Sequence, residues 1–248
     1  MQREEEMMRI KVDTHSHTTA SGHAYSTIRE MAKAGAEAGL EALAITEHAP
    51  TMPETCGRFY FSNLGVIPRE MYGIKMMFGV ELNILDEEGN VDLPENLLQQ
   101  MDLVIASVHP PCYGESRGME ENTKAYINAM KNPYVQIIGH PDDGRFPIDY
   151  EKLVAVAKET GTLLEVNNSS LTPGGFRMGT RENSLNLLKL CKKNGVYITT
   201  GSDSHVDVDV ANFCYINEVL RECDFPEDLV VTTSYEKFKR HLKQWKKV

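Results

Sequence analysis

Features that would carry this chain of 248 residues out of a reducing compartment or into a bilayer are scarce. It has five cysteines, Cys56, Cys112, Cys191, Cys214 and Cys223, an odd number at wide spacings with no C-x-x-C pair. That pattern is not a disulfide framework, and a cytoplasmic setting is the expectation. The opening "MQREEEMMRI" has no apolar core and does not read as a secretion signal. No apolar run approaches the ~20 residues that span a bilayer. Basic residues are outnumbered, 26 against 36 acidic, and the net charge of −10 argues against nucleic acid or an anionic membrane as partner. No Pro/Gly/Ser-rich linker, low-complexity tract or repeat divides the chain, so residues 1–248 read as a single domain.

What is present is an alternation. The runs "RIKVDTH", "ALAITEH", "MMFGVEL", "LVIASVH", "VQIIGHP", "TLLEVNN" and "VYITTGSDSH" read as strands. Between or after them, "STIREMAKAGAEAGL", "DYEKLVAVAKETG", "TRENSLNLLKLCKKNG" and "ANFCYINEVLREC" read as helices. The first opens on a Ser/Thr N-cap, and the second and third stop at Gly161 and Gly195. Strands alternating with helices imply a parallel sheet covered by helices, and seven strands favour an α/β barrel over an open sheet.

The chain has eight histidines, and three of them fall in "DTHSHTTASGH". Seven lie at or just after strand ends: His15, His17, His23, His48, His109, His140 and His205, joined there by Glu81 and Asp203. In an α/β barrel the C-terminal strand ends share one face. His15 and His17 are two apart, as are Asp203 and His205, so each pair projects from one side of an extended strand. A lone strand-end histidine is ordinarily a hydrogen-bonded structural residue, and H-x-H alone is a weak motif. The joint pattern differs, because seven imidazoles gathered in one mouth without metal would leave polar groups buried and unmatched. Nine ligand candidates exceed the about four that one zinc takes and suit two or three ions. Imidazole-rich sets favour Zn, Fe, Mn, Co or Ni over Mg or Ca. His241, in the basic "KFKRHLKQWKK", reads as a solvated helix residue.

The stretches "DTHSHT", "ITEH", "GVELN", "SVHP", "GHP" and "GSDSH", in that order, resemble the PHP superfamily (polymerase and histidinol phosphatase). "TASGHAYST", "EVNNSS" and "GSDSH" are most similar to its YcdX-like phosphatases. The similarity runs from about Ile10 to about Tyr235. The resemblance implies a distorted, TIM-like (β/α)7 barrel, the PHP fold, with a trinuclear centre. It implies one ion on His15, His17, Glu81 and Asp203, and a second on His23, His48 and His205. A third would share bridging Glu81 and add His109 and His140. Three divalent transition ions are expected, zinc first, with manganese or iron as alternatives. Where the family often has Asp before the histidine equivalent to His48, this chain has Glu47. Glu47, Asp13 and Asn168 are expected to brace the ligands rather than bind metal.

Such a centre traps a phosphate dianion and lowers the pKa of a bridging water, so that hydroxide attacks phosphorus without a protein nucleophile. The expected activity is hydrolysis of a small phosphomonoester. Arg177, in the loop "TPGGFRMGTRE", is the leading phosphate clamp, ahead of Arg145 and Arg181. Cys112, three residues after His109, reads as a buried thiol rather than a ligand. "GSDS" does not fit the nucleophile elbow G-x-S-x-G. A phosphodiesterase or exonuclease, an amidohydrolase-like metal hydrolase and a non-catalytic metal-binding module are the alternatives. The strand "LVIASVH" lacks the metal-bridging lysine usual in amidohydrolases. A homo-oligomer is compatible with the sequence.

Overall fold

The computed structural model describes residues 8–243. The acidic opening and the last residues of the basic C-terminal stretch therefore lie outside the described residues, as do both ends of the 1–248 domain expectation. The strands are β1 (Val12–Asp13), β2 (Ala42–His48), β3 (Glu70–Met71), β4 (Ile74–Asn83), β5 (Val104–Ser107), β6 (Ile137–Ile138), β7 (Leu163–Asn167) and β8 (Ile198–Gly201). Seven of them pair in parallel in the order β1-β2-β4-β5-β6-β7-β8, and β3 is added antiparallel to β4. The two ends of the sheet approach each other. Ser16 bridges Ser204 in parallel, Asp203 N donates to His15 O at 2.9 Å, and His17 N donates to Ser204 O at 2.9 Å. The sheet is nearly closed into a distorted TIM-like barrel.

Strand periodicity sorts the core into two layers. Along β2, Ala42 and Ala44 join Val12, Met77, Leu103, Ile105, Ile137 and Leu163 inside the barrel. Leu43 and Ile45 face outward into the larger cluster under the helices, as do Val104, Ala106, Ile138 and Leu164. The inner cluster also takes Phe238 and Leu242, from the helix Tyr235–His241 and the residue after it. Burying a side chain such as Phe238 contributes about 1.5–3 kcal/mol. His241, in the same helix, is half-buried rather than solvated. Its Nδ1 lies 2.8 Å from Lys237 O and its ring 4.1 Å from that of Tyr197.

The four anticipated helices form as Ile28–Glu37, Tyr150–Thr160, Thr180–Asn194 and Cys214–Glu222. Thr27 and Glu30 make a reciprocal capping box at the first, and Gly161 and Gly195 end the second and third in the left-handed conformation. Several elements were not anticipated, among them the short helices Arg58–Ser62, Glu95–Leu98 and Pro110–Tyr113 and two larger features. The helix Met119–Lys131 starts at Gly118, which offers no side-chain cap. The β3–β4 hairpin turns through Tyr72 and Gly73, with φ of 51° and 84°, the pair of positive angles that a two-residue type I′ turn needs.

Candidate metal centre

The same period of two lifts the polar residues to one end of the barrel. On β2, the face that buries Ala42 and Ala44 continues to Thr46 and His48; on β4, the face of Met77 continues to Gly79 and Glu81. On β7, Leu163 leads to Glu165 and Asn167. Register then aligns His48 with Glu81 across β2 and β4. Apolar side chains therefore fill the lower barrel, and imidazoles and carboxylates line its C-terminal mouth.

Glu81 is fully buried at the middle of this mouth, and its two oxygens face different histidines. Oε1 lies 2.8 Å from His140 Nε2 and 3.1 Å from His109 Nε2. Oε2 lies 2.8 Å from His48 Nδ1, 3.3 Å from His15 Nε2 and 3.6 Å from His17 Nε2. Asp203 Oδ1 is 3.3 Å from His17 Nε2 and 3.7 Å from His15 Nε2. The His23 ring stands 4.9 Å from those of His48 and His205, and His17 and His205 are 4.5 Å apart. Three sets of ligand atoms fall within 4.8 Å of one another: His17, His48 and His205; His15, His17 and Asp203; His48, Glu81 and His109. All nine residues expected from the sequence are thus in one cluster.

Hydrogen bonds outside the cluster fix which ring nitrogens face it. His15 Nδ1 donates to Glu165 Oε1 at 2.8 Å, and His109 Nδ1 donates to Asn83 Oδ1 at 2.7 Å. His205 Nδ1 donates to Asp203 O at 3.0 Å. In the neutral rings each Nε2 then holds a lone pair, as a metal ligand must. The consequence is a set of buried atoms without hydrogen-bond partners: His15 Nε2, His17 Nε2, His48 Nδ1, His109 Nε2 and Glu81 Oε2. Lone pairs of nitrogen and carboxylate oxygen cannot satisfy one another, and each buried orphan costs about 1–3 kcal/mol. A divalent cation is the group that satisfies such a donor set, so the residues fit metal.

The electrostatics agree in sign. Burial alone would raise the Glu81 carboxyl, but His109, His15 and His48 hold it well below its ordinary range. Asp203 is likewise held well below its range against burial, by His15, His17 and Arg177. Burial and the neighbouring His48 and His205 lower His17, while burial lowers His109 against the pull of Glu81. His15 is the exception. Burial opposes its protonation, yet Glu165, Glu81 and Asp203 raise it well above its usual value.

Among the expected bracing residues, the structure redistributes the roles. Asp13 accepts from Ser202 N at 2.9 Å and Ala211 N at 3.1 Å, tying the first strand to the loop after β8. Glu47 accepts from Ser21 Oγ at 2.5 Å and from the Thr18 hydroxyl, bracing the loop between His17 and His23. Asn168 corrects the expectation that it braces ligands. Its Oδ1 accepts from Tyr215 N at 3.0 Å and Ile216 N at 3.3 Å, at the start of the helix Cys214–Glu222. Its neighbour Asn167 instead donates to Asp203 Oδ2 at 3.3 Å, because alternation turns Asn167 inward. Arg177 is largely buried, and its Nη1 donates to Asp203 Oδ2 at 3.3 Å and Ser170 Oγ at 3.0 Å. Arg145 pairs with Asp143, and Arg181 with Glu222. Cys112 is half-buried, and burial with nearby Asp92 and Glu81 pushes its thiol up to about 12.

Sequence reasoning missed Glu165 and Asn83. Each is the polar residue of an apolar run that shares the inward parity, which is the signal that could have found them. Two of the candidate ligands also sit in backbone conformations uncommon for their residue types: His140 at φ 26° and Asp203 at φ 56°. Such positions cost about 1–3 kcal/mol each and persist only where the surroundings hold them.

A helix-covered parallel barrel with an imidazole–carboxylate cluster at its strand C-termini defines a class of barrel proteins suited to metal chemistry. Within that class the chain belongs to the PHP family, whose domain model matches residues 13–171. Asp203 and His205 lie beyond that match, yet the loop after β8 brings them into the same cluster. A probable phosphatase of Thermoanaerobacter sp. (strain X514) is 47% identical over 240 residues, 97% of each chain. One of Clostridium novyi (strain NT) is 47% identical over 236 residues, 95% of this chain and 96% of its own. Among solved structures, a histidinol phosphate phosphatase of Lactococcus lactis subsp. lactis, complexed with zinc, L-histidinol and phosphate, superposes with a TM-score of 0.63. It is 20% identical and covers 87% of this chain and 94% of its own, so the likeness is one of fold. Among the described residues no helix is long and apolar enough to cross a membrane.

Proposed function

We propose that this PHP protein is a metal-dependent phosphatase that hydrolyses a small phosphomonoester at a centre of three divalent ions, with the whole chain as one domain. The observation that carries the reading is the ring of partnerless buried atoms around Glu81, whose two oxygens face separate histidine groups. Full-length relatives named as phosphatases supply the reaction class.

His15, His17, Glu81 and Asp203 hold one ion, and His23, His48 and His205 a second. Glu81, His109 and His140 hold the third. The donor set favours zinc, with manganese or iron as alternatives. When bound, the ions attract phosphate oxygens as Lewis acids and lower the pKa of coordinated water toward neutrality. The chain's own residues set the geometry. Glu165 and Asn83 fix the His15 and His109 tautomers, so those rings present lone pairs. Arg177 has five N–H donors, more than its contacts to Asp203 and Ser170 use, and can take a phosphate oxygen while it holds Asp203. The negative charge of ionised Glu81 and Asp203 is what retains the cations.

The test is phosphate release from a panel of small phosphomonoesters by the metal-loaded protein, with a phosphodiester alongside. Hydrolysis of monoesters that chelator abolishes and zinc, manganese or cobalt restores is the expected result. Turnover of the diester alone would favour a phosphodiesterase, and a loaded protein inert toward every ester would favour a non-catalytic module.

A further inference from the structure

We infer that Glu165 is the positioning residue that couples two of the three ion sites, by accepting from a ligand of each with one carboxylate. The inference rests on the metal-centre reading and adds a residue that the ligand set does not contain. Glu165 is buried on β7, 150 positions from His15 in sequence. Its Oε1 accepts the His15 Nδ1 proton at 2.8 Å, and its Oε2 accepts the backbone N–H of His140 at 2.8 Å. The first contact directs the His15 Nε2 lone pair toward Glu81 and Asp203. The second holds His140 at φ 26°, the conformation from which its Nε2 reaches Glu81 Oε1. Asn167 Nδ2 adds a third bond, to Glu165 Oε2 at 3.1 Å.

The fold makes room for this carboxylate. A Cβ on Gly201 would collide with Glu165 Oε1 and lie 2.5 Å from His15 Cβ. A Cβ on Gly139 would meet Ser107 Oγ and come within 3.5 Å of Glu165 Oε2. The carboxylate therefore lies between the strands on either side of its own, and each of its oxygens is committed.

Glutamine cannot replace it. An amide offers one acceptor oxygen and an NH2 donor where the carboxylate offers two acceptors. Turned one way, it sets NH2 against the His140 N–H. Turned the other, it sets NH2 against His15 Nδ1, which must then give up its proton, and Nε2 takes the proton and loses its lone pair. Either orientation disables one ion site and leaves the ligands His23, His48 and His205 untouched.

The experiment is a zinc titration of wild type and Glu165→Gln against a chromogenic chelator, with melting of both proteins in excess chelator. The expected result is one class of zinc site weakened roughly 10- to 100-fold in the variant, as for other partners of metal-bound histidine, with the remaining sites unchanged. Equal zinc affinities and counts in the two proteins would overturn the inference. So would a variant that melts earlier in chelator but binds zinc as wild type does, since that is a purely structural role. If the variant does not fold, ¹⁵N NMR of the zinc-loaded wild type decides. His15 must carry its proton on Nδ1, and a proton on Nε2 overturns the assignment. A wild type that takes up no zinc would defeat the metal reading itself, whereas one that binds zinc beside an unaltered variant defeats only the role of Glu165.

Discussion

Arg177 Nη1 lies 3.3 Å from Asp203 Oδ2, while the other oxygen of that carboxylate faces His17 Nε2 at the same distance. The proposed phosphate clamp is therefore also held against a proposed metal ligand.

Removing that side chain has two consequences. Arg177→Ala removes the arginine on a buried carboxylate and, among the described residues, leaves its Oδ2 to Asn167 alone, so part of the ~3–5 kcal/mol cost of breaking a buried ion pair is expected. Both kcat and kcat/KM are expected to fall, and zinc at the Asp203 site to weaken. A guanidinium that touched only ground-state phosphate would raise KM and leave kcat unchanged. Arg177→Lys keeps the charge but not the fork, so recovery is expected to be partial. Steady-state kinetics with metal analysis on the same samples separate the cases.

Glu81→Gln tests the bridge. With Oε1 toward His109 and His140 and Oε2 toward His48, His15 and His17, one substitution is expected to strike the two proposed ion sites that share this carboxylate. Two ions are expected to be lost together, along with activity. Elemental analysis showing loss of a single ion with activity kept would place the bridge elsewhere.

Zinc binding is expected to release a proton from His15. Burial opposes its charge, but Glu165, Glu81 and Asp203 hold it well above its ordinary value, which favours a proton on the ring when no metal is bound. Zinc needs the Nε2 lone pair and must displace that proton. His17 and His109 are shifted the other way, which favours their neutral rings. A raised pKa gives the metal-free fold a contribution that is full below 6.5 and is lost as pH rises through the folded-state value. Stabilisation by zinc is therefore expected to grow between pH 6 and 8, and activity to rise from acid to neutral pH. Calorimetric titrations in buffers of different ionisation enthalpy count the released protons, and a count of zero at pH 7 would contradict the assignment.

Gly201→Ala probes the packing beneath the ligands. The new methyl would press on His15 Cβ and Glu165 Oε1. Overpacking of this kind costs about 1–3 kcal/mol. Urea unfolding is expected to show that loss in chelator and a larger one in zinc, because the methyl also displaces a ligand.

The candidate ligands were legible because they punctuate strand ends: His48, His109 and His140 each close an apolar run. Glu165 was not, since one acid inside "TLLEVNN" gives no sign of the histidine it will meet 150 positions away. Asn167 and Asn168 are adjacent, and only the pleat decides that Asn167 turns toward Asp203 while Asn168 meets the start of a helix. Strand lengths came out unevenly: β2 matches "ALAITEH", β4 extends beyond "MMFGVEL", and β1 and β6 are shorter than their apolar runs. β6 keeps two residues of "VQIIGHP", because the chain turns at His140 in a left-handed conformation that no propensity encodes. The helix Met119–Lys131 escaped notice because Gly118 gives no cap and polar Asn122 and Thr123 occupy its buried side.

The central claim is that these nine side chains form one centre for three ions. Mass spectrometry of the metal-replete protein under native conditions tests it most directly. The account predicts three divalent ions per chain, removed by chelator with parallel loss of phosphomonoester hydrolysis; a chain that binds one ion or none under those conditions contradicts it.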